Sequence, residues 1–157
     1  MSGSENLPIG FRPATENDTS FIYDSWLKEF RATSFGTQVE SDVFFPHYRR
    51  HIGRVLRVSQ VTVCCNPDDA EQIYGYAVHR LHGDVRVMSW ICVKGPFRAM
   101  GLGRKLFEHA GGAEIVTHLS NRIVKGAIAT LRAGQIRLPK DIIYNPFLDL
   151  FIQEIAN

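Results

Sequence analysis

Val87-Met-Ser-Trp-Ile-Cys-Val-Lys-Gly-Pro-Phe-Arg-Ala-Met-Gly-Leu-Gly-Arg-Lys-Leu-Phe107 changes character halfway along. Val87 to Val93 is β-branched and apolar, which reads as a strand. From Gly101 to Ala110 the apolar residues Leu102, Leu106 and Phe107 recur at helical spacing, and Gly111-Gly112 ends the helix. A strand that runs through a glycine turn into a helix aims several unpaired N–H groups at one spot. The helix dipole adds positive potential there, so the corner suits an anion such as a phosphate. Gly101 and Gly103 let the backbone approach a ligand with no Cβ in the way. Arg98 and Arg104 add charge at its rim. Two other phosphate motifs are absent. There is no Gly-x4-Gly-Lys-Ser/Thr string, and Leu106 stands where a dinucleotide fingerprint needs its third glycine.

Working outward, Val85 to Val93 is the last of three consecutive strands. Val61 to Cys65 and Ile73 to Leu81 precede it, joined by turns at Asn66-Pro-Asp-Asp69 and His82-Gly-Asp84. Short turns make these an antiparallel meander. Ahead of them, Ile9 to Pro13 reads as a strand. Thr15-Glu-Asn-Asp18 has the pattern that opens a helix. Ile22, Trp26 and Phe30 give the helix Phe21 to Arg31 one apolar stripe. A second helix is expected from Phe45 to about Val58, with Arg50, Arg54 and Arg57 on its outer side. Beyond the turn, Ile115 to His118 reads as a strand, Ser120 to about Leu131 as a helix, and Asp141 to Tyr144 as a strand. Pro146 sits in the first turn of a last helix ending near Glu154. The order predicts an α/β (mixed α+β) chain with a mixed sheet and helices on both faces.

With 157 residues and a mass of 17.8 kDa, residues 1–157 are expected to form a single domain. Eighteen Lys+Arg against sixteen Asp+Glu give +2, too mild a balance to argue for nucleic acid or an anionic membrane surface. No apolar run approaches the ~20 residues that span a bilayer. The first residues have no basic region and no apolar stretch, so a signal peptide is not expected and a cytoplasmic location is. Cys64, Cys65 and Cys92 are odd in number, two of them adjacent, with no metal-type spacing. They are expected to be reduced and buried in strands, with no metal site.

Arg98-Ala-Met-Gly101-Leu-Gly103 resembles the Arg/Gln-x-x-Gly-x-Gly/Ala signature of the GNAT acyltransferases, which bind acetyl-CoA. Cys92-Val-Lys-Gly-Pro-Phe-Arg98 is similar to the strand end of that family, and Phe11-Arg-Pro-Ala-Thr15 with Asp18 to its opening. Phe21-Ile-Tyr-Asp-Ser-Trp-Leu-Lys28, Gln72-Ile-Tyr-Gly-Tyr76 and Tyr144-Asn-Pro-Phe147 are further similar to small bacteriophage-encoded GNAT-like proteins, which would place the chain in a host cytoplasm. The resemblance implies a GNAT-like fold, a central splayed sheet of six to seven strands. It implies that the Arg98 and Ala99 turn leads into a pyrophosphate cradle made by the N–H groups of Met100, Gly101, Leu102, Gly103, Arg104 and Lys105. The backbone of Ile91, Cys92 and Val93 would lie beside the pantetheine arm like an added strand. An N–H near Cys92 or Val93 would polarise the thioester carbonyl, and Asn121 would reach the cofactor's amide.

The reaction the resemblance implies is direct attack of a primary amine, on a small molecule or a protein Lys or N-terminus, upon the thioester. An alkylammonium with a pKa of about 10.4 costs about 4.6 kcal/mol to present neutral at pH 7, so a base or water chain must take its proton. Here the chain departs from the family pattern. Ser89 stands where many members have a strand glutamate, and no Tyr occurs in 121–131. Ser89 can hold a water, His118 has a pKa suited to a base, and Tyr144 is the substitute proton donor. Either role competes with a packed structural one for His118 and Tyr144. Cys92 is not expected to be a nucleophile. A homodimer is compatible with all of this. An alternative function is a CoA-binding protein with little or no turnover that acts by binding a host or partner protein. A third is an interaction module using the Arg50/Arg54/Arg57 face.

Overall fold

The computed structural model describes residues 7–118 and 142–152. β1 (Gly10–Pro13), β2 (Gln60–Asn66), β3 (Asp69–His82), β4 (Val85–Val93), β5 (Ile115–Val116) and β6 (Ile143–Tyr144) form one sheet in that order. β1 through β4 run antiparallel, the expected meander, while β4–β5 and β5–β6 pair parallel. The β2–β3 turn closes as its composition predicts, with the Asp68 N–H donating to Asn66 Oδ1 at 2.9 Å. The β3–β4 turn uses Gly83 at φ +62°.

Helices cover both faces. α1 (Thr19–Arg31) and α3 (Ser41–Val58) lie on one, with the single-turn α2 (Ser34–Thr37) between them. α4 (Leu102–His109) lies on the other. The strands sort their side chains accordingly. Val63 and Cys65 meet α1 and α3, whereas Cys64 meets α4. Trp26 of α1 and Trp90 of β4 stack at 5.5 Å and 2°, both almost wholly buried. The three cysteines are buried free thiols, as expected. Arg12 of β1 forks onto Asp18 at 2.7 and 3.0 Å, and the Asp18 carboxylate also accepts the Thr15 N–H. Those bonds hold the Asp18 carboxyl below its ordinary pKa and complete the capping box of the 3-10 turn Glu16–Asp18, which leads into α1.

β3 begins at Asp69 rather than Ile73, and three further boundaries differ from expectation in ways that shape the site. α3 begins at Ser41 rather than Phe45. The Glu40 carbonyl accepts the N–H groups of Val43 and Phe44, so the first turn closes ahead of Pro46, anchored by the buried Phe44. β5 stops at Val116 because its ladder to β4 stops there. In place of a final helix there is one 3-10 turn, Leu148–Phe151. Asn145 Oδ1 accepts the Phe147 N–H, and the Asp149 side chain turns into the core instead of facing water. The helix expected over 120–131 lies outside the described residues. Among the described residues no helix is long and apolar enough to cross a membrane.

Gly75 sits where β3 crosses the end of β4. A Cβ there would meet the Cys92 carbonyl oxygen at 2.4 Å and Val93 Cα at 3.1 Å. Backbone cannot step aside as a side chain can. Gly75→Ala is expected to cost about 2–3 kcal/mol and to lower Tm by roughly 5–10 °C. Thermal unfolding followed by circular dichroism checks this, and an unchanged Tm contradicts the packing described.

Candidate active site

After Val93 the chain makes a 3-10 turn, Gly95–Phe97, and then two residues with left-handed backbone, Ala99 at φ 67° and Gly101 at φ 75°. A non-glycine residue in that region stores strain, which is characteristic of ligand-holding loops. Gly101 is the N-cap of α4. Among the described residues no backbone carbonyl accepts the N–H groups of Met100, Gly101, Leu102, Gly103 or Arg104. The Lys105 N–H, expected to join them, donates instead to the Gly101 carbonyl at 3.1 Å. The corner is open: a Cβ on Gly101 would meet nothing within 4 Å, and one on Gly103 only Val93 Cγ2 at 4.0 Å. The geometry suits a phosphate-bearing ligand held by main-chain donors.

Arg98 is not the exposed rim charge it was expected to be. Its Nη2 donates to Glu29 Oε1 of α1 at 2.6 Å and its Nε to the Val93 carbonyl at 2.9 Å. The Arg98 side chain therefore ties the loop to α1 and the end of β4. Arg104 stays exposed at the start of α4.

Among the described residues, no strand pairs with the side of β4 away from β3 beyond its first half. β5 pairs with Val87 and Met88 only, and the Thr117 N–H to the Met88 carbonyl, at 3.2 Å, is the last bond before the strands part. The Lys94 N–H donates to the Tyr74 carbonyl, which makes Tyr74 and Lys94 a bonded pair of the β3–β4 ladder. By alternation Cys92 spends its N–H and C=O on Tyr76, while those of Ile91 and Val93 point into the fork. Of the two candidate donors, Val93 is the one whose N–H faces the fork. Cys92 is buried, with its thiol pushed up to about 12, and is no nucleophile at neutral pH.

Ser89 is the extra residue of a β-bulge: Val78 faces Trp90 and His79 faces Met88, with nothing opposite Ser89. The bulge turns its side chain to a buried polar cluster whose members are far apart along the chain. Ser89 Oγ donates to Asp149 Oδ2 at 2.9 Å and Thr117 Oγ1 to the same oxygen at 2.6 Å, while Arg80 of β3 pairs with Oδ1. His118 Nδ1 lies 2.8 Å from Thr117 Oγ1, and its Nε2 3.1 Å from Nε2 of His51 on α3. Trp26 and Phe30 press on the His118 ring. Ser89 and His118 are thus brought together, through Asp149. Tyr144 stands apart on β6, 42% exposed, in electrostatic reach of Tyr48. Asn121 lies outside the described residues. Asp149, His51, Arg80 and Thr117 went unnoticed because each lies in an unremarkable local context.

No family model matches the chain, and no curated protein matches it in sequence. Solved structures do match. A possible acetyltransferase from Clostridium difficile 630 is 12% identical, over 78% of this chain and 87% of that one, with a TM-score of 0.52. The histone acetyltransferase HPA2 and related acetyltransferase from Corynebacterium glutamicum is 16% identical, over 66% and 70%, with a TM-score of 0.51. The chain has the fold of the GNAT acetyltransferases, as the motif around Gly101 and Gly103 led one to expect.

Burial in the aromatic box holds both histidines below the ordinary value, and neighbouring His51 pushes His118 further down, to about 4. The groups facing them are Asp149, Arg80 and Arg54. In the unfolded chain both titrate near 6.5, so below that pH the unfolded state binds protons the folded state refuses. Folding stability is therefore expected to be complete above about pH 6.5 and to fall between there and pH 4, with a slope approaching about 1.4 kcal/mol per pH unit from His118 and a further loss in the same direction from His51. Urea unfolding at pH 7 and pH 5 checks it, and equal stabilities at the two values would contradict the neutral, buried pair.

Proposed function

We propose that this chain is an acetyl-CoA-dependent N-acetyltransferase acting in the cytoplasm on a primary amine, on a small molecule or on a protein Lys or N-terminus. The observation that carries the reading is the open corner at Gly101 and Gly103, with its unclaimed N–H groups beside an unpaired strand edge. A CoA pyrophosphate fits the donors of 100–104, and a pantetheine arm fits the free edge of Ile91 and Val93 as an added strand. The Val93 N–H would then polarise the thioester carbonyl.

One observation favours a second reading, a CoA-binding protein with little turnover. Ser89 stands where the family resemblance leads one to expect a carboxylate, and its hydroxyl is fully buried and committed to Asp149. It is not placed to hold a water at the cleft. The arginine face of α3 supports an interaction role less well. Arg50 is engaged with His47 at 3.2 Å, and Arg54 is partly buried.

Gly103→Glu puts a carboxylate against the diphosphate position and is expected to lower CoA affinity at least 100-fold while leaving Tm within a few degrees. Isothermal calorimetry with CoA reads the first and thermal unfolding the second. No heat from CoA or acetyl-CoA with the wild-type chain overturns both readings. Given binding, a thiol-release assay against polyamines, aminoglycosides and lysine peptides separates them: turnover selects the transferase, and blank rates throughout select the binder.

A further inference from the structure

Past the last ladder bond, from the Thr117 N–H to the Met88 carbonyl, the hydrogen bonds that join the two walls of the fork among the described residues run through side chains. Thr117 Oγ1, just after β5, and Ser89 Oγ of β4 both donate to one oxygen, Asp149 Oδ2. The other carboxylate oxygen pairs with Arg80 of β3. His118 adds a second stitch. Its Nδ1 lies 2.8 Å from Thr117 Oγ1 and 3.6 Å from Asp149 Oδ2, and its ring is hydrogen-bonded to the Ser89 backbone. The bulge leaves Ser89 with no residue opposite it on β3, so its side chain and backbone can serve this stitch. Ser89, Thr117, His118 and Asp149 are each no more than 5% exposed, so water does not compete for these bonds.

We propose that Asp149 is a positioning residue: by clasping Ser89 and Thr117 at the apex it sets the angle at which the walls part, and with it the width of the channel for the pantetheine arm. The inference rests on CoA binding, which both readings above share. An arm lying as an added strand fills one strand spacing, about 4.8 Å, so walls one spacing apart at Met88 must stand about two spacings apart beside Ile91. That doubling takes place within three residues of β4, roughly 10 Å of strand. A backbone bond at Ser89 would hold the walls at one spacing, and no bond at all would leave their separation undefined. A carboxylate between two hydroxyls is the intermediate case. It is two bonds long, and Arg80 anchors it to a third strand. Because the clasp sits at the apex, a small change of angle there moves the Ile91 and Val93 edge further than it moves Ser89. The main-chain cradle at 100–104 lies at the other end of that edge, with Gly103 beside Val93, and does not depend on the clasp.

His51, His118 and Asp149 also hold ligand-type atoms within 4.8 Å of one another, the arrangement of a metal triad. Charge argues for the clasp instead. Asp149 is matched by Arg80 and already accepts three hydrogen bonds, so a divalent cation would bring two uncompensated charges into an aromatic core.

Two ligands separate the arm from the cradle: CoA carries a diphosphate and an arm, and ADP the diphosphate alone. Nitrogen-15 correlation spectra of the full chain at pH 7 read CoA at the Ile91 and Val93 amides and ADP at those of Gly101 and Gly103. Thr117→Val keeps the side-chain shape and the Arg80–Asp149 pair but removes one side of the clasp. It is expected to weaken CoA binding at least 10-fold and to leave ADP binding within twofold. Thr117→Ser, which restores the hydroxyl, is expected to match the wild type with both ligands. Ser89→Ala removes the opposite side of the clasp and is expected to repeat the Thr117→Val pattern, so it decides the case where Thr117→Val does not fold. CoA bound by these variants as tightly as by the wild type overturns the proposal. So does a loss of ADP affinity equal to that of CoA, the mark of a fold-wide defect, or a Thr117→Ser that behaves like Thr117→Val. A wild type that binds no CoA refutes the CoA reading and this inference with it, whereas CoA binding that ignores the clasp refutes this inference alone.

Discussion

The parting of β4 and β5 is the constraint around which the rest is arranged. Two residue pairs and one further bond hold the strands together, and beyond Met88 β4 has no strand partner on that side among the described residues. Unpaired strand edges are costly when buried and aggregation-prone when exposed. A fold that keeps one must hold it open by other means. Trp90 stacks on Trp26 of α1, Arg98 bonds Glu29 and the Val93 carbonyl, and Leu102 and Leu106 pin α4 to the opposite face. Each contact fixes one wall of the fork, and none closes it.

The buried Arg80–Asp149 pair holds the lower end. Placing two charges in a dry interior costs several kcal/mol per ion, repaid only with good geometry and further hydrogen bonds. Here Ser89 and Thr117 supply those bonds, one from each parting strand. Asp149 therefore clasps β4, β5 and β3 at the point where the ladder ends. The bulge at Ser89 is what makes this possible, because a regular strand would alternate its side chain to the other face.

Much of this was legible in the residues and some was not, for physical reasons. The meander, α1 and the strand–turn–helix unit followed from period and turn chemistry, which act within a few residues. The open corner followed from Gly101 and Gly103, because a missing Cβ is a local fact. Asp149 falls inside the stretch expected to be a last helix, and nothing in its local spacing singles it out. Its partners lie 60 and 69 residues away, at Ser89 and Arg80, beyond the range of any periodicity. The Arg98 side chain was assigned to the rim by its motif, but Glu29, also 69 residues distant, claims it. Long-range charge pairing leaves no trace in local spacing.

The two ends of the fork differ in kind, and the difference bears on what the molecule can do. The upper end is built from main-chain donors, which need no particular side chain beyond glycine and suit an anion by geometry alone. The lower end is built from side chains gathered on the Asp149 carboxylate. Anion binding at the upper end therefore depends on backbone shape, which tolerates substitution around it. The lower end depends on named side chains, where a single exchange leaves a buried charge or hydroxyl without its partner. An exchange at the lower end would leave the upper end intact, so ligand binding and turnover call for separate measurements.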